Sequence, residues 1–309
     1  MLSFLPPFVR GCLAMALLVV NTLCWCVLLF ALALVKLLLP FTAVRKLLDP
    51  WLNRVATAWI SCNSGWMRLT QRTRWDVQGV DALPYAGWYL VNANHQTWVD
   101  IFALQHVLNR RIPMLKFFLK QQLIWVPVIG LAWWALDFPF MKRHSKAALR
   151  KRPELRTQDH ETTRRACAKF ALVPTCVMNF AEGTRFTPAK HAQQASPYRH
   201  LLKPKAGALA LALNAMGSQF HAMLDVTIVY PDGPPTFWQF LCGRAPAVVL
   251  RVHRHEIPAE FCTGDYAHDS AFRSRFNQWL GALWAAKDDE IEALLGRTGG
   301  NPADRATVR

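Results

Sequence analysis

The sequence predicts an α/β fold: a mixed or largely parallel sheet with flanking helices, preceded by an N-terminal transmembrane helix and an interfacial helix. Three observations carry this. Beyond Trp75, short β-rich apolar runs alternate with helical stretches. The last helical stretch carries one wide apolar stripe, as a helix docked on a core does. Residues Gly11 to Val35 contain no charged side chain at all.

Taken in order, that uncharged run of 25 residues would form a helix roughly 37 Å long, enough to cross a hydrocarbon core of about 30 Å. The rival is a cleaved signal peptide, helped by the small residues Ala31 and Ala33, but the run exceeds the usual apolar region of roughly 7–15 residues. Arg10 alone precedes the run, whereas Lys36, Arg45, Lys46, Arg54, Arg68, Arg72 and Arg74 follow it with one acid, Asp49. The positive-inside bias then puts the N-terminus outside and everything after Lys36 in the cytoplasm. Pro50 to Thr73 mixes Trp51, Trp59, Ile60, Trp66 and Leu69 with arginines, which suits an interfacial helix or one packed on the globular part. Leu123 to Leu136 is too short to span comfortably and carries Pro127 and Gly130, so it reads as buried core or the apolar wall of a lipid-binding groove.

Strand candidates follow at Trp88–Asn92, Thr175–Phe180, Asp225–Tyr230 and Ala247–His253. Helical stretches fall at Trp98–Leu108, Glu161–Ala171, Lys205–Ala215 and Ser270–Leu295. In the last of these Phe272, Phe276, Trp279, Leu280, Leu283 and Trp284 recur at helical spacing on one face. After Gly296 a polar tail has no periodicity to hold it down and reads as disordered. The chain thus divides into membrane helices over 1–75, an α/β domain over 76–295 and a tail over 296–309.

Formal charge is +16, and 52% of residues are apolar with 13 tryptophans and 18 phenylalanines. The partners implied are anionic: lipid headgroups, a phosphorylated cosubstrate or nucleic acid. Ten Lys and Arg between Lys142 and Lys169 face three acids, a run that fits headgroups, coenzyme A phosphates or a solvated basic face. The eight cysteines form no CxxC pair and read as reduced thiols in a cytosolic domain. His253 and His255 share a strand face without a third ligand at metal-site spacing and read as a solvated strand.

The stretch with most chemical content is Asn94-His95-Gln96-Thr97-Trp98-Val99-Asp100. Five helical steps would point His95 and Asp100 to different faces, so they can meet only across a bend. A strand ending near Asn92, a turn at His95 and a helix from Thr97 would supply it, letting the carboxylate hold one ring nitrogen and leave the other as a base. About eighty residues on, at a strand end, comes Phe180-Ala181-Glu182-Gly183-Thr184-Arg185. There Gly183 permits a tight turn, Thr184 offers a hydroxyl, and Arg185 supplies a fork that matches phosphate oxygens. Glu182 can orient that arginine or accept from a substrate hydroxyl.

Together the two stretches resemble the glycerolipid acyltransferase family, which includes the 1-acylglycerol-3-phosphate acyltransferases. The first family motif, Asn-His-x4-Asp, is matched by Asn94, His95 and Asp100; the third is matched by Phe180, Glu182, Gly183, Thr184 and Arg185. Arg143 in Phe140-Met141-Lys142-Arg143 is the counterpart of the second motif's arginine, and Pro204-Lys205-Ala206-Gly207 is closest to a bacterial inner-membrane subgroup related to lysocardiolipin acyltransferases. Ala181 replaces the family's usual proline, and Asp225–Tyr230 lacks the proline of the fourth motif.

The resemblance implies acyl transfer from acyl-CoA or acyl carrier protein to a lysophospholipid hydroxyl, with no bound cofactor and no metal. His95 would be the base, Asp100 its orienting group, and Arg143 and Arg185, with the Glu182-Gly183-Thr184 turn, the acceptor site. A membrane-tethered nucleic-acid-binding protein is the rival that charge and aromatics suggest. It gives His95 no special role.

Overall fold

The computed structural model describes residues 2, 4–81, 83–141, 173–266 and 268–299. The predicted helix at Glu161–Ala171, the basic run from Lys142 to Lys169, Arg143 and the tail beyond Gly299 therefore lie outside the described residues.

Helices α1 (Pro7–Leu38) and α2 (Thr42–Thr70) form an antiparallel hairpin. Polar side chains lock its register: Asn21 donates to the Asn63 side chain at 2.8 Å and to the Trp59 carbonyl at 3.1 Å, and the Trp59 indole donates to Thr22 at 3.2 Å. Such bonds between helices give polar groups inside an apolar segment a partner they would lack in lipid. The expected interfacial helix at Pro50–Thr73 thus starts earlier. Its inward residues Leu52, Val55, Ile60, Trp66 and Met67 are buried, while Trp51 and Arg54 stay outside.

Both ends of α1 are fastened. At its start Arg10 Nε donates to the Cys242 carbonyl at 3.0 Å and Phe8 meets the Trp238 ring edge-on. At its far end Lys36 pairs with Asp49 at 2.7 Å and with Asp137, which also takes Arg45 at 3.1 Å.

The body is a six-stranded sheet in the order β1 (Arg74–Gln78), β8 (Ala247–His255), β7 (Ala222–Val229), β2 (Tyr89–Ala93), β6 (Cys176–Phe180), β3 (Leu115–Phe117). All neighbours are parallel except β7 and β8. The predicted strands at Trp88, Thr175, Asp225 and Ala247 are present within a few residues, because each is an apolar run covered on both faces. In β2 every residue is buried, Tyr89 and Val91 towards the side of the α1–α2 hairpin and Leu90 towards the C-terminal helix. Strand β1, with its exposed charged end at Arg74, begins two residues before the expected domain start at 76.

One face is covered by α1, α2, α3 (Val99–Leu108) and α4 (Ile129–Ala135); the other by α6 (Ala206–Met216) and the last helix, α9 (Ser270–Gly299). Between these helices lie α5 (Pro188–Gln194), α7 (Phe237–Leu241) and α8 (Glu260–Thr263). The predicted stripe of α9 buries Phe272, Phe276, Leu280 and Trp284, each contributing about 1.5–3 kcal/mol by transfer. The helix runs to Gly299 rather than Leu295.

A two-stranded pair, β4 (Leu119–Lys120) with β5 (Phe140–Met141), flanks a tight turn at Gln121–Trp125 and α4. This segment is only half core. Ala132 and Ala135 point inward, whereas Trp125 is 85% exposed and Leu131 and Trp134 lie at the surface.

Candidate active site

Strands β2, β6 and β7 end at the same edge of the sheet, the edge where α/β folds place their ligands. Just past Ala93, Asn94 holds the end of β7 with both ends of its amide: Nδ2 donates to the Ile228 carbonyl at 2.9 Å, and the Ile228 N–H donates to Oδ1 at 2.8 Å. That bond pair prolongs β2 by one residue and releases the chain into a turn. His95 sits in the turn and α3 begins at Val99.

The bend brings the expected pair together. His95 Nδ1 lies 2.8 Å from Asp100 Oδ2, and the same oxygen accepts the N–H groups of Gln96 at 2.6 Å and Thr97 at 3.0 Å. A carboxylate in the first turn of a helix, facing free amides, is electrostatically at home. Asp100 is fully buried, while the His95 side chain keeps 14% exposure. The imidazole stacks on Phe180, centroids 3.9 Å apart and planes 13° apart. Among the described residues no protein group bonds Nε2. With Nδ1–H given to the carboxylate, that nitrogen carries the free lone pair.

Glu182 does not do what the sequence suggested. It is 1% exposed, and its oxygens accept the N–H groups of His95 at 2.8 Å and Leu202 at 3.0 Å. It neither orients Arg185 nor faces an acceptor, because two buried backbone amides already occupy it. Burial pushes its pKa up to about 7, against the pull of those amides.

Gly183 takes φ +66°, the left-handed conformation its tight turn needs, and its N–H returns to the Phe180 carbonyl at 2.8 Å. Thr184 Oγ1 accepts from Lys190 Nζ at 2.9 Å, and the same ammonium holds the Arg185 carbonyl at 3.0 Å. The Phe186 N–H bonds the His95 carbonyl at 2.7 Å, so the two motifs are tied by backbone as well. The Arg185 guanidinium is exposed and lies over the Trp98 ring, 5.1 Å from its centroid.

Sequence reasoning missed Tyr230, whose hydroxyl donates to Asp100 Oδ1 at 2.7 Å, along with the roles of Lys190 and Trp98. Nothing in the spacing could have found Tyr230: a tyrosine closing an all-buried strand reads as core. A lysine one helical turn beyond a phosphate-type turn was a visible signal.

A small apolar cavity of about 30 Å³ lies between α1, α2, α3 and α4, walled by Leu29, Val55, Trp59, Met114, Trp133 and Phe138. A line of rings leads to it from the imidazole. His95 stacks on Phe180, Phe180 on Phe117 at 6.1 Å and Phe117 on Phe138 at 6.4 Å.

A buried His–Asp pair with a free ring nitrogen thus lies beside an arginine-bearing turn and a small apolar cavity. The family described as Acyltransferase matches residues 74–231, just over half of the chain, and the protein belongs to that family. It is similar to the mouse (Mus musculus) 1-acyl-sn-glycerol-3-phosphate acyltransferase epsilon, 27% identical over 194 residues, covering 54% of this chain and 50% of that protein. The mouse gamma enzyme is 25% identical over 187 residues, 56% of this chain and 44% of that one. The chain spans about half the length of the curated relatives it matches. A crystal structure of the 1-acyl-sn-glycerophosphate acyltransferase of Thermotoga maritima aligns with 90% of this chain and 98% of its own at 17% identity, TM-score 0.49.

Proposed function

We propose that the protein moves a fatty acyl group from a thioester donor, acyl-CoA or acyl carrier protein, to the hydroxyl of a lysophospholipid. The observation that carries this reading is the 2.8 Å contact of His95 Nδ1 with buried Asp100, which leaves Nε2 free beside an open turn. The lipid hydroxyl is far too weak an acid to attack unaided. Nε2 takes its proton as the oxygen adds to the thioester carbonyl, and Asp100 steadies the imidazolium that forms. Collapse of the tetrahedral oxyanion breaks the C–S bond, and the leaving sulfur takes the proton from Nε2. An ester and a free thiol result, with no covalent enzyme intermediate.

Arg185, with Arg143 and the Thr184 amide, takes the acceptor phosphate in this reading, and the Phe180, Phe117 and Phe138 rings flank the path of an acyl chain. The exposed apolar surface of α1 tethers the enzyme to an inner membrane, with its catalytic body on the cytoplasmic side. The named relatives, which act on 1-acyl-sn-glycerol-3-phosphate, support a lysophospholipid acceptor.

A thiol-release assay with purified protein, acyl-CoA or acyl carrier protein, and a panel of lysophospholipids tests this. Thiol release should depend on the acceptor and fall by about 10²–10⁴ in His95→Ala, and similarly in Asp100→Asn. Near-wild-type release from folded His95→Ala would sink the reading.

A further inference from the structure

The chain leaves β7 through Tyr230, whose ring is packed in the core and whose hydroxyl reaches Asp100. Both side chains are buried, 4% and 0% exposed. The carboxylate is shared unevenly: Oδ2 serves His95, Gln96 and Thr97, while Oδ1 accepts the Tyr230 hydroxyl at 2.7 Å. We propose that Tyr230 is a positioning residue for the transfer, its hydroxyl fixing the rotation of Asp100 so that Oδ2 faces the imidazole, and drawing charge from the carboxylate so that the imidazolium is held without being trapped. The proposal rests on the reading of His95 as the base.

The carboxylate torsion of an aspartate is soft. Three donors on one oxygen and none on the other would leave a buried charged oxygen without compensation, which a protein interior penalises heavily. A buried tyrosine needs some acceptor, and a backbone carbonyl would serve for packing alone. Here it takes the group that orients the base. The hydroxyl is also dispensable for holding the loop. Asn94 and Gln96 Nε2 bind Ile228, the latter at 3.2 Å, and Thr97 Oγ1 donates to the Pro235 carbonyl at 2.6 Å. Those bonds position the turn whatever residue 230 carries. Burial and the charge of Asp100 raise the phenol pKa well above its ordinary value, so the hydroxyl stays a donor across the working range.

Among the described residues, titratable and charged groups on the elements around the pair include Glu182 and Arg185 on the turn after β6, Lys190 on α5, His106 on α3, Asp232 just past Tyr230 and the buried Asp225–Lys287 pair under β7. Glu182 titrates near neutrality, so it needs its own control.

The test is Tyr230→Phe in the full chain, which removes one oxygen and keeps the ring. The loss of one hydrogen bond to a charged group predicts roughly a tenfold fall in kcat, with both KM values within about twofold, since the turn and substrate site are held by other bonds, and a lower melting temperature, since Asp100 Oδ1 is left buried without its donor. The acid limb of the kcat profile should move to higher pH, because a carboxylate relieved of its donor grips the imidazolium harder. Site-specific 3-fluorotyrosine at 230, a stronger donor, should move it the other way. A role in packing alone would lower the folded fraction and leave the limb in place. Tyr230→Phe with wild-type kcat and an unmoved limb overturns the proposal, and so does a limb that disappears in Glu182→Gln. Turnover surviving in His95→Ala would instead bring down the base itself.

Discussion

The carboxylate of Glu182 accepts the backbone N–H of His95 at 2.8 Å, across 87 residues of sequence. Its other oxygen takes the N–H of Leu202, whose carbonyl accepts the Trp284 indole at 3.0 Å. The C-terminal helix is therefore connected to the catalytic turn through one buried acid. This is why a residue that reads as a ligand for substrate is better understood as a brace for the His95 turn.

Glu182 makes a pH prediction. Its folded pKa is about 7 against an ordinary 4.5, so between those values the folded chain keeps a proton that the unfolded chain has released. Its contribution to stability is then fully present below pH 4.5 and is lost as pH rises through about 7. Melting curves of wild type and Glu182→Gln should converge or diverge only inside that window, with wild type losing ground as pH rises. A difference that stays constant from acid to neutral pH would rule this out.

Lys287 lies at the centre of a second buried network. It pairs with Asp225 at 3.1 Å and donates to the Val226 carbonyl at 2.7 Å, while Asp225 also accepts from Asn92 at 3.0 Å. Lys287→Met should cost about 3–5 kcal/mol, because it strands a buried carboxylate, whereas Asp225→Leu with Lys287→Met should recover much of the loss. Chemical denaturation in detergent measures both. Equal destabilisation by the single and double variants would contradict the pairing.

These two networks mark the limit of what the sequence makes legible. Strands β2, β6 and β7 could be read because each is a compact apolar run, and the His95 and Asp100 partnership because their spacing forces a bend. Strand β1 could not, since Arg-Trp-Asp-Val-Gln has the pattern of a surface. Glu182 could not either, because its partners are backbone amides far off in sequence, which no side-chain pattern encodes. Lys287 sits among charged residues of a helix and reads as solvated, yet tertiary packing buries it completely. The hairpin of α1 and α2 hinges on Asn21 and Asn63, two residues whose pairing is invisible until the helices are side by side.

Arg185 and Trp98 separate binding from chemistry. If the guanidinium holds the acceptor phosphate equally in ground and transition states, Arg185→Ala should raise the acceptor KM by about one to two decades with a smaller change in kcat. Arg185→Lys should restore part of this, keeping charge without the fork. Trp98→Ala removes an exposed cation–π contact of about 0.5–1 kcal/mol, so it should raise the acceptor KM a few-fold, and much less in the Arg185→Ala background. A rise in donor KM with the acceptor KM unmoved would mean that this turn binds the thioester's carrier, and the two sites would exchange places.

The last prediction concerns how α1 meets the membrane. Charge bias in the sequence puts the N-terminus outside, which requires the two ends of α1 to lie on opposite faces of the bilayer. At 32 residues the helix is about 48 Å long, ample for a core of about 30 Å. Yet Arg10 near its start is bonded to Cys242 beside α7, and Lys36 near its end is bonded to Asp137 after α4. Both anchors sit on the same α/β body, so a spanning α1 would either pull that body through the hydrocarbon or break one set of contacts. With both sets kept, α1 lies along the body with its exposed apolar face in one leaflet, and the two termini share the cytoplasmic side. Protease protection of N-terminal and C-terminal tags in inverted and right-side-out vesicles decides the matter. Tags cleaved together in inverted vesicles fit the docked helix; tags cleaved in opposite preparations would show that the Arg10 contact is given up in the bilayer and that α1 crosses it.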